Sequence, residues 1–217
     1  MTPEEKQEEI KRLTKQIQDN ADKNIPKEAP KRNVEKVGQL FFGPYVALCK
    51  VHESLVRGLM NRGEKLESGT ANTTLAGHLA DQRRYTREDK EWYIKEFKPY
   101  VDWYVKGALE WTGHKLEQET SFTLMDLWIN YMKAHEYNPE HYHGGQLSWV
   151  IFCKTPDVKQ EQKSFEGTSP PPGTLVFHYG EPQHPKWADH TFNYEPQEYH
   201  MWMFPAQLRH QVMPFHT

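Results

Sequence analysis

Apolar positions along the chain follow different rhythms in different stretches. Residues 1–36 hold 17 charged side chains, 8 acidic and 9 basic, and few large apolar ones. Ile10, Leu13 and Ile17 recur at helical spacing, so EEIKRLTKQIQDN predicts a short amphipathic helix. The prolines of IPKEAPKR then break it, and the stretch reads as an arm or linker outside the core. Between 43 and 113 the apolar spacing is helical. In GPYVALCKVHESLVRGLMNRG, the set Val46, Leu48, Val51, Leu55, Val56, Leu59 and Met60 predicts a helix that stops at Gly63. REDKEWYIKEFKPYVDWYVKGALEWTG predicts a second helix, with Trp92, Phe97, Tyr100, Val101, Tyr104 and Leu109 on its apolar face. Pro99 predicts a break or kink inside it, and Gly113 its end. ESGTANTTLAGHLADQRRYT is a looser connection between the two.

From about residue 120 the period shortens to two. SFTLMDLWINYMKAHEY alternates as a strand, with Leu127, Ile129 and Tyr131 on one side and Trp128 and Met132 on the other. LSWVIFCK, TLVFHYG and EYHMWMFP read as further short strands, separated by turn-rich runs such as TSPPPGT and GEPQHPKWADH. Short strands without intervening helical patterns predict a β-sandwich or barrel. The expected organisation is an arm over 1–36 and one domain over 37–217, its helical part spanning 37–118 and its β core 119–217. The fold class is mostly β with α.

Composition narrows the function classes. Aromatic residues reach 13% with seven Trp and eleven Tyr, so the core is aromatic-heavy. A formal charge of −3 and the lack of a long basic stripe argue against a dedicated nucleic-acid binder. The aromatic run WYIKEFKPYVDWY is better suited to packing than to stacking bases. Cys49 and Cys153 stand far apart with no CxxC, which argues against a disulfide scaffold and a thiolate zinc site and fits a reducing compartment. No stretch reaches 18 apolar residues and MTPEEKQEEIKR has no signal-like apolar segment. The expectation is a soluble protein of the cytoplasm.

Histidine changes the picture. Nine of the twelve fall in the last 83 residues. In NPEHYHGGQLSWVIF, His141 and His143 are two apart, so on an extended backbone both imidazoles share a face while Tyr142 and Glu140 lie on the other. Paired imidazoles suit Fe, Zn, Ni or Cu. They are also compatible with two polar residues on a half-exposed strand. A third ligand must come from elsewhere, and His210 in MFPAQLRHQVMPF is the candidate, with a surface histidine beside Arg209 as the alternative. His178, His184, His190 and His200 read as structural or exposed.

The ordered series N-P-x-H-x-H-x-G-x-L-S-x-V, P-P-G-T-L-x-F-x-Y-G and F-P-A-x-L-x-H-x-V-x-P-F, preceded by LAGHLADQRRY…WYIKEFKPYVDWYV, resembles the 2-oxoglutarate/Fe(II) oxygenases of tailed phages and marine bacteria. The resemblance covers about residues 40–217. It implies a double-stranded β-helix (jelly roll) behind an N-terminal helical layer, with Fe(II) held by His141, His143 and His210. It further implies 2-oxoglutarate and O₂ as co-reactants, succinate and CO₂ as products, and, for a phage-encoded chain, the host cytoplasm. Ser148, Gln146 and Tyr179 are candidates to line the cosubstrate pocket, or ordinary strand residues. His143 stands where the family usually has a carboxylate. The family's arginine beyond the distal histidine, partner of the cosubstrate's far carboxylate, has no counterpart before Thr217, so a chain lacking its last strand is expected. Two alternatives stay open: a non-catalytic jelly-roll module of a virion or binding protein, and a three-histidine dioxygenase without 2-oxoglutarate.

Overall fold

The computed structural model describes residues 35–41, 43–115, 121–180 and 190–217, together with Glu8. The predicted helix at Ile10, Leu13 and Ile17, and His184, lie outside the described residues. The chain is mixed α/β with antiparallel sheets. Its elements are β1 (Glu35–Phe41), β2 (Tyr45–Lys50), α1 (Glu53–Gly63), β3 (Gln82–Arg84), α2 (Arg87–Thr112), β4 (Trp128–Asn130), β5 (Asn138–His141), β6 (Leu147–Ile151), α3 (Lys159–Ser164), β7 (Leu175–His178), β8 (Thr191–Tyr194), β9 (His200–Pro205) and β10 (Arg209–Val212). Two four-stranded sheets have the orders β1-β2-β9-β6 and β5-β10-β7-β8, and β3 pairs with β4 in a separate two-stranded sheet. No helix among the described residues is long and apolar enough to cross a membrane.

The first sheet separates two apolar clusters. On one face Tyr45, Ala47 and Cys49 of β2 and Met201 and Met203 of β9 meet Leu55, Val56 and Leu59 of α1 and Tyr93, Phe97, Tyr100, Val101 and Tyr104 of α2. On the other, Val46, Leu48, Trp202 and Phe204 meet Leu175 and Phe177 of the second sheet. This double burial corrects one expectation. Residues 45–50 form a strand, and only Glu53–Gly63 is helical. A strand covered on both faces shows a continuous apolar run, and in YVALCKVHESLV that run merges with the helical stripe beyond it.

Helix α2 starts where Thr86 and Asp89 exchange a reciprocal capping box, and it ends at Gly113 in the left-handed conformation. It passes through Pro99 without a break. Proline forfeits one helical hydrogen bond, while the flanking Phe97, Tyr100 and Val101 are all buried and hold the helix against the sheet. Gly107 permits that close approach, because a Cβ there would run into the phenol of Tyr45. The strand expected around 121–137 shrinks to Trp128–Asn130 and pairs with β3 instead of joining either large sheet.

Candidate metal centre

Strand register brings the histidines together. β10 is the central partner of β5 and β7, and it sets His210 directly opposite His141 on one side and Phe177 on the other. Directly opposed residues share a face of the sheet, so both imidazoles point toward the apolar interior between the sheets. His143 lies just past β5. Its N–H donates to the Ala206 carbonyl at 2.8 Å, and Ala206 N–H donates back to the Gln146 carbonyl at 3.1 Å. These two bonds lash the 143–146 loop to the turn before β10. The ligating nitrogens of His141, His143 and His210 all lie within 4.8 Å of one another.

Backbone carbonyls orient two of the rings. His141 Nδ1 lies 2.7 Å from the Pro139 carbonyl, and His210 Nδ1 lies 2.9 Å from the Leu208 carbonyl. A carbonyl accepts only, so each Nδ1 carries the proton and each Nε2 presents a lone pair. His143 Nε2 stands 3.2 Å from His210 Nε2. Two nitrogens at right angles around one ion, each at about 2.1 Å, would be about 3 Å apart.

Burial keeps the rings neutral. It lowers His141 below its ordinary value, with the Pro139 carbonyl opposing. It pulls His143 to about 4, helped by the charge His141 would carry. It pulls His210 to about 3, again with His141 as the next cause. At neutral pH three uncharged imidazoles converge on one point, and ligation there displaces only the proton that His143 Nε2 shares with His210 Nε2.

The surroundings divide into a dry wall and an open lip. The Phe204 ring lies 4.8 Å from His210 and the Phe177 ring 6.1 Å. On the lip, Trp128 of β4 sits 5.4 Å from the His143 ring, and Tyr142 is 67% exposed. The half-buried Trp128 indole thus borders the cluster. Alternation alone places Trp128 opposite Ile129, but the partner on its face comes from residue 143 and has no local sequence signal.

The other expected site residues scatter. Ser148 is buried and pairs with Phe204, so it faces the interior beside the cluster. Gln146 is exposed and contributes its backbone carbonyl to the loop tie. Tyr179 is 49% exposed, and its ring lies against Gly43, whose positive φ and missing Cβ leave it room. Arg209 points away from the cluster, donating to Glu140 Oε1 at 2.8 Å on the outer face. His178 approaches the same carboxylate at 3.8 Å. His200 bonds the Tyr194 hydroxyl, and the His190 carbonyl accepts from Tyr179 N–H.

Residues 126–217, which supply every member of this cluster, match the family model described as "Putative 2OG-Fe(II) oxygenase". No curated protein and no solved structure matches the chain. The histidine-bearing segment is thus similar to the 2OG-Fe(II) oxygenase family, a likeness that implies Fe(II) and 2-oxoglutarate as cofactors, and the three-histidine cluster is of a kind that can bind iron.

Proposed function

We propose that the chain is an Fe(II)- and 2-oxoglutarate-dependent dioxygenase that hydroxylates a substrate of its own, with His141, His143 and His210 as the metal ligands. The observation that carries this reading is the convergence of three neutral imidazoles, two of them with Nε2 freed by a backbone hydrogen bond. Three protein ligands on one side of an ion leave positions for the cosubstrate and O₂. Bound there, iron and 2-oxoglutarate supply the oxidising chemistry, with succinate and CO₂ as by-products. The protein's own share is to bind, orient and shield. Phe177 and Phe204 keep water from the inner side of the cluster, and the buried Ser148 hydroxyl is the polar group placed to meet a cosubstrate oxygen. With His143 in place of a carboxylate, the ligand set is neutral and the ion keeps its full double charge, which favours dianionic 2-oxoglutarate.

In this reading the two four-stranded sheets, facing each other across Trp202, Phe177 and Phe204, are the halves of a double-stranded β-helix. Helices α1 and α2 form the layer behind it, and residues 37–217 act as one domain.

The test is anaerobic addition of Fe(II) and 2-oxoglutarate to the full chain. A weak visible charge-transfer band is expected, absent in His141→Ala and His210→Ala. Iron binding without that band would replace this reading with a three-histidine dioxygenase independent of 2-oxoglutarate. No metal uptake at all would leave a non-catalytic module.

A further inference from the structure

The two-stranded sheet beside the cluster carries more charge than its packing requires. Arg84 of β3 pairs in register with Trp128 of β4, so the two side chains share a face with Cβ atoms about 5 Å apart. That is the face whose indole borders His143. The opposite face, with Arg83 and Ile129, is committed elsewhere: Arg83 pairs with Asp81 and donates to carbonyls at the end of α1, and Ile129 packs near Gly63.

Arg84 Nε donates to Asp126 Oδ2 at 3.0 Å and its Nη2 to Thr74 Oγ1 at 2.8 Å. Lys90 Nζ donates to the other Asp126 oxygen at 3.1 Å. Two cations thus share one carboxylate, leaving one net positive charge. Arg84 Nη1 has no hydrogen-bond partner among the described residues, and Lys90 spends one of its three donors. All three charged side chains remain partly solvent-accessible, at 35% for Arg84, 23% for Lys90 and 31% for Asp126. They are held in place by one another and still reachable, which is the condition under which a guanidinium and an ammonium recognise an incoming anion.

We propose that the β3–β4 sheet and the adjoining first turn of α2 form the substrate-recognising lip of the site, on which Arg84 of β3 and Lys90 of α2 bind a carboxylate or phosphate group of the substrate while Trp128 lies between that group and the metal. The inference rests on the metal-centre reading for its meaning, since the lip matters because it adjoins His143. It deepens that reading by naming the substrate class: an anionic molecule whose charged group lies several bonds from the carbon that reacts. The same chemistry has a second source, the far carboxylate of 2-oxoglutarate, and the test separates the two.

Inorganic phosphate is titrated calorimetrically into the full chain loaded with Zn(II), with zinc uptake measured on every variant. Arg84→Gln should weaken phosphate binding by about tenfold or more and Lys90→Gln by about threefold, while Arg84→Lys keeps much of the affinity. Asp126→Asn should tighten binding, because it removes the competing carboxylate. A purely structural network would instead show all of these changes loosening together, and that result overturns the proposal. Should Arg84→Gln fail to fold, the opposite signs expected for Lys90→Gln and Asp126→Asn decide the matter alone. In parallel, 2-oxoglutarate and 2-oxobutanoate, which lacks the far carboxylate, are titrated into the Fe(II) form. Arg84→Gln should leave 2-oxoglutarate affinity unchanged, and a fall to the level of 2-oxobutanoate would assign Arg84 to the cosubstrate instead. Loss of phosphate binding with intact zinc uptake speaks to the lip alone. A wild-type chain that takes up no zinc fails the metal reading by itself.

Discussion

The two four-stranded sheets share one apolar interior but are covered very differently. In the first, β2 is buried along five of its six residues and so is β9, because helices cover one face and the second sheet the other. In the second, β8 alternates exposed and half-buried positions, and β5 is nowhere fully buried. Of the clustered histidines, His141 and His210 sit on the second sheet and His143 just past its strand β5. A strand packed on both sides is a scaffold with little room for a reactant. A strand with one dry face and one wet face can hold ligands inward and remain reachable from its end.

The comparison is sharpest where it is broken on the scaffold side. Phe97 of α2 is fully buried, 4.8 Å from the Tyr93 ring and 4.4 Å from Trp149. Phe97→Ala should cost about 3–5 kcal/mol in urea unfolding. On the site sheet, His210→Ala removes a buried ring but also a buried polar group. A cost of about 1–3 kcal/mol in the metal-free chain is expected, with metal uptake abolished. Equal losses for the two variants would show that the site sheet carries as much of the stability as the scaffold.

Smaller effects refine the contrast. Thr86→Ala should cost about 1 kcal/mol by removing the cap of α2. Burial raises the Asp89 carboxyl, but its bonds from Thr86 and Arg62 outweigh that and hold it below its ordinary value. A lowered folded-state value contributes stability that is fully present above about pH 4 and is lost as the pH falls below it. Melting of Asp89→Asn and wild type should therefore converge in acid. The least effect belongs to the outer face of the site sheet. Arg209→Ala breaks an ion pair whose side chains are 51% and 40% exposed, so about 0.2–1 kcal/mol is expected, fading with salt.

How much of this was legible in the sequence depended on whether the signal was local. The cap, length and end of α2 follow from Thr86, Asp89 and Gly113, and the strands from LSWVIF, TLVFH and HMWMF were readable from their apolar spacing. The three-histidine cluster was readable because motif order ties His210 to the H-x-H pair across 67 residues of chain. Strand β2 was not, since its apolar run belongs to two cores at once. Nor was the juxtaposition of Arg84 and Trp128, which lie 44 positions apart and share a face only through the pairing of β3 with β4.

The rings of His141 and His210 are each aimed by a carbonyl two residues upstream in the chain. No side-chain substitution nearby can delete that partner, because the main chain supplies it at every sequence. The aim of the two imidazoles is thus insulated from mutation in a way that a carboxylate-held ring is not. Residues around the mouth can then change without first disturbing the convergence of the two imidazoles, and the cluster can be inherited intact while its surroundings diverge.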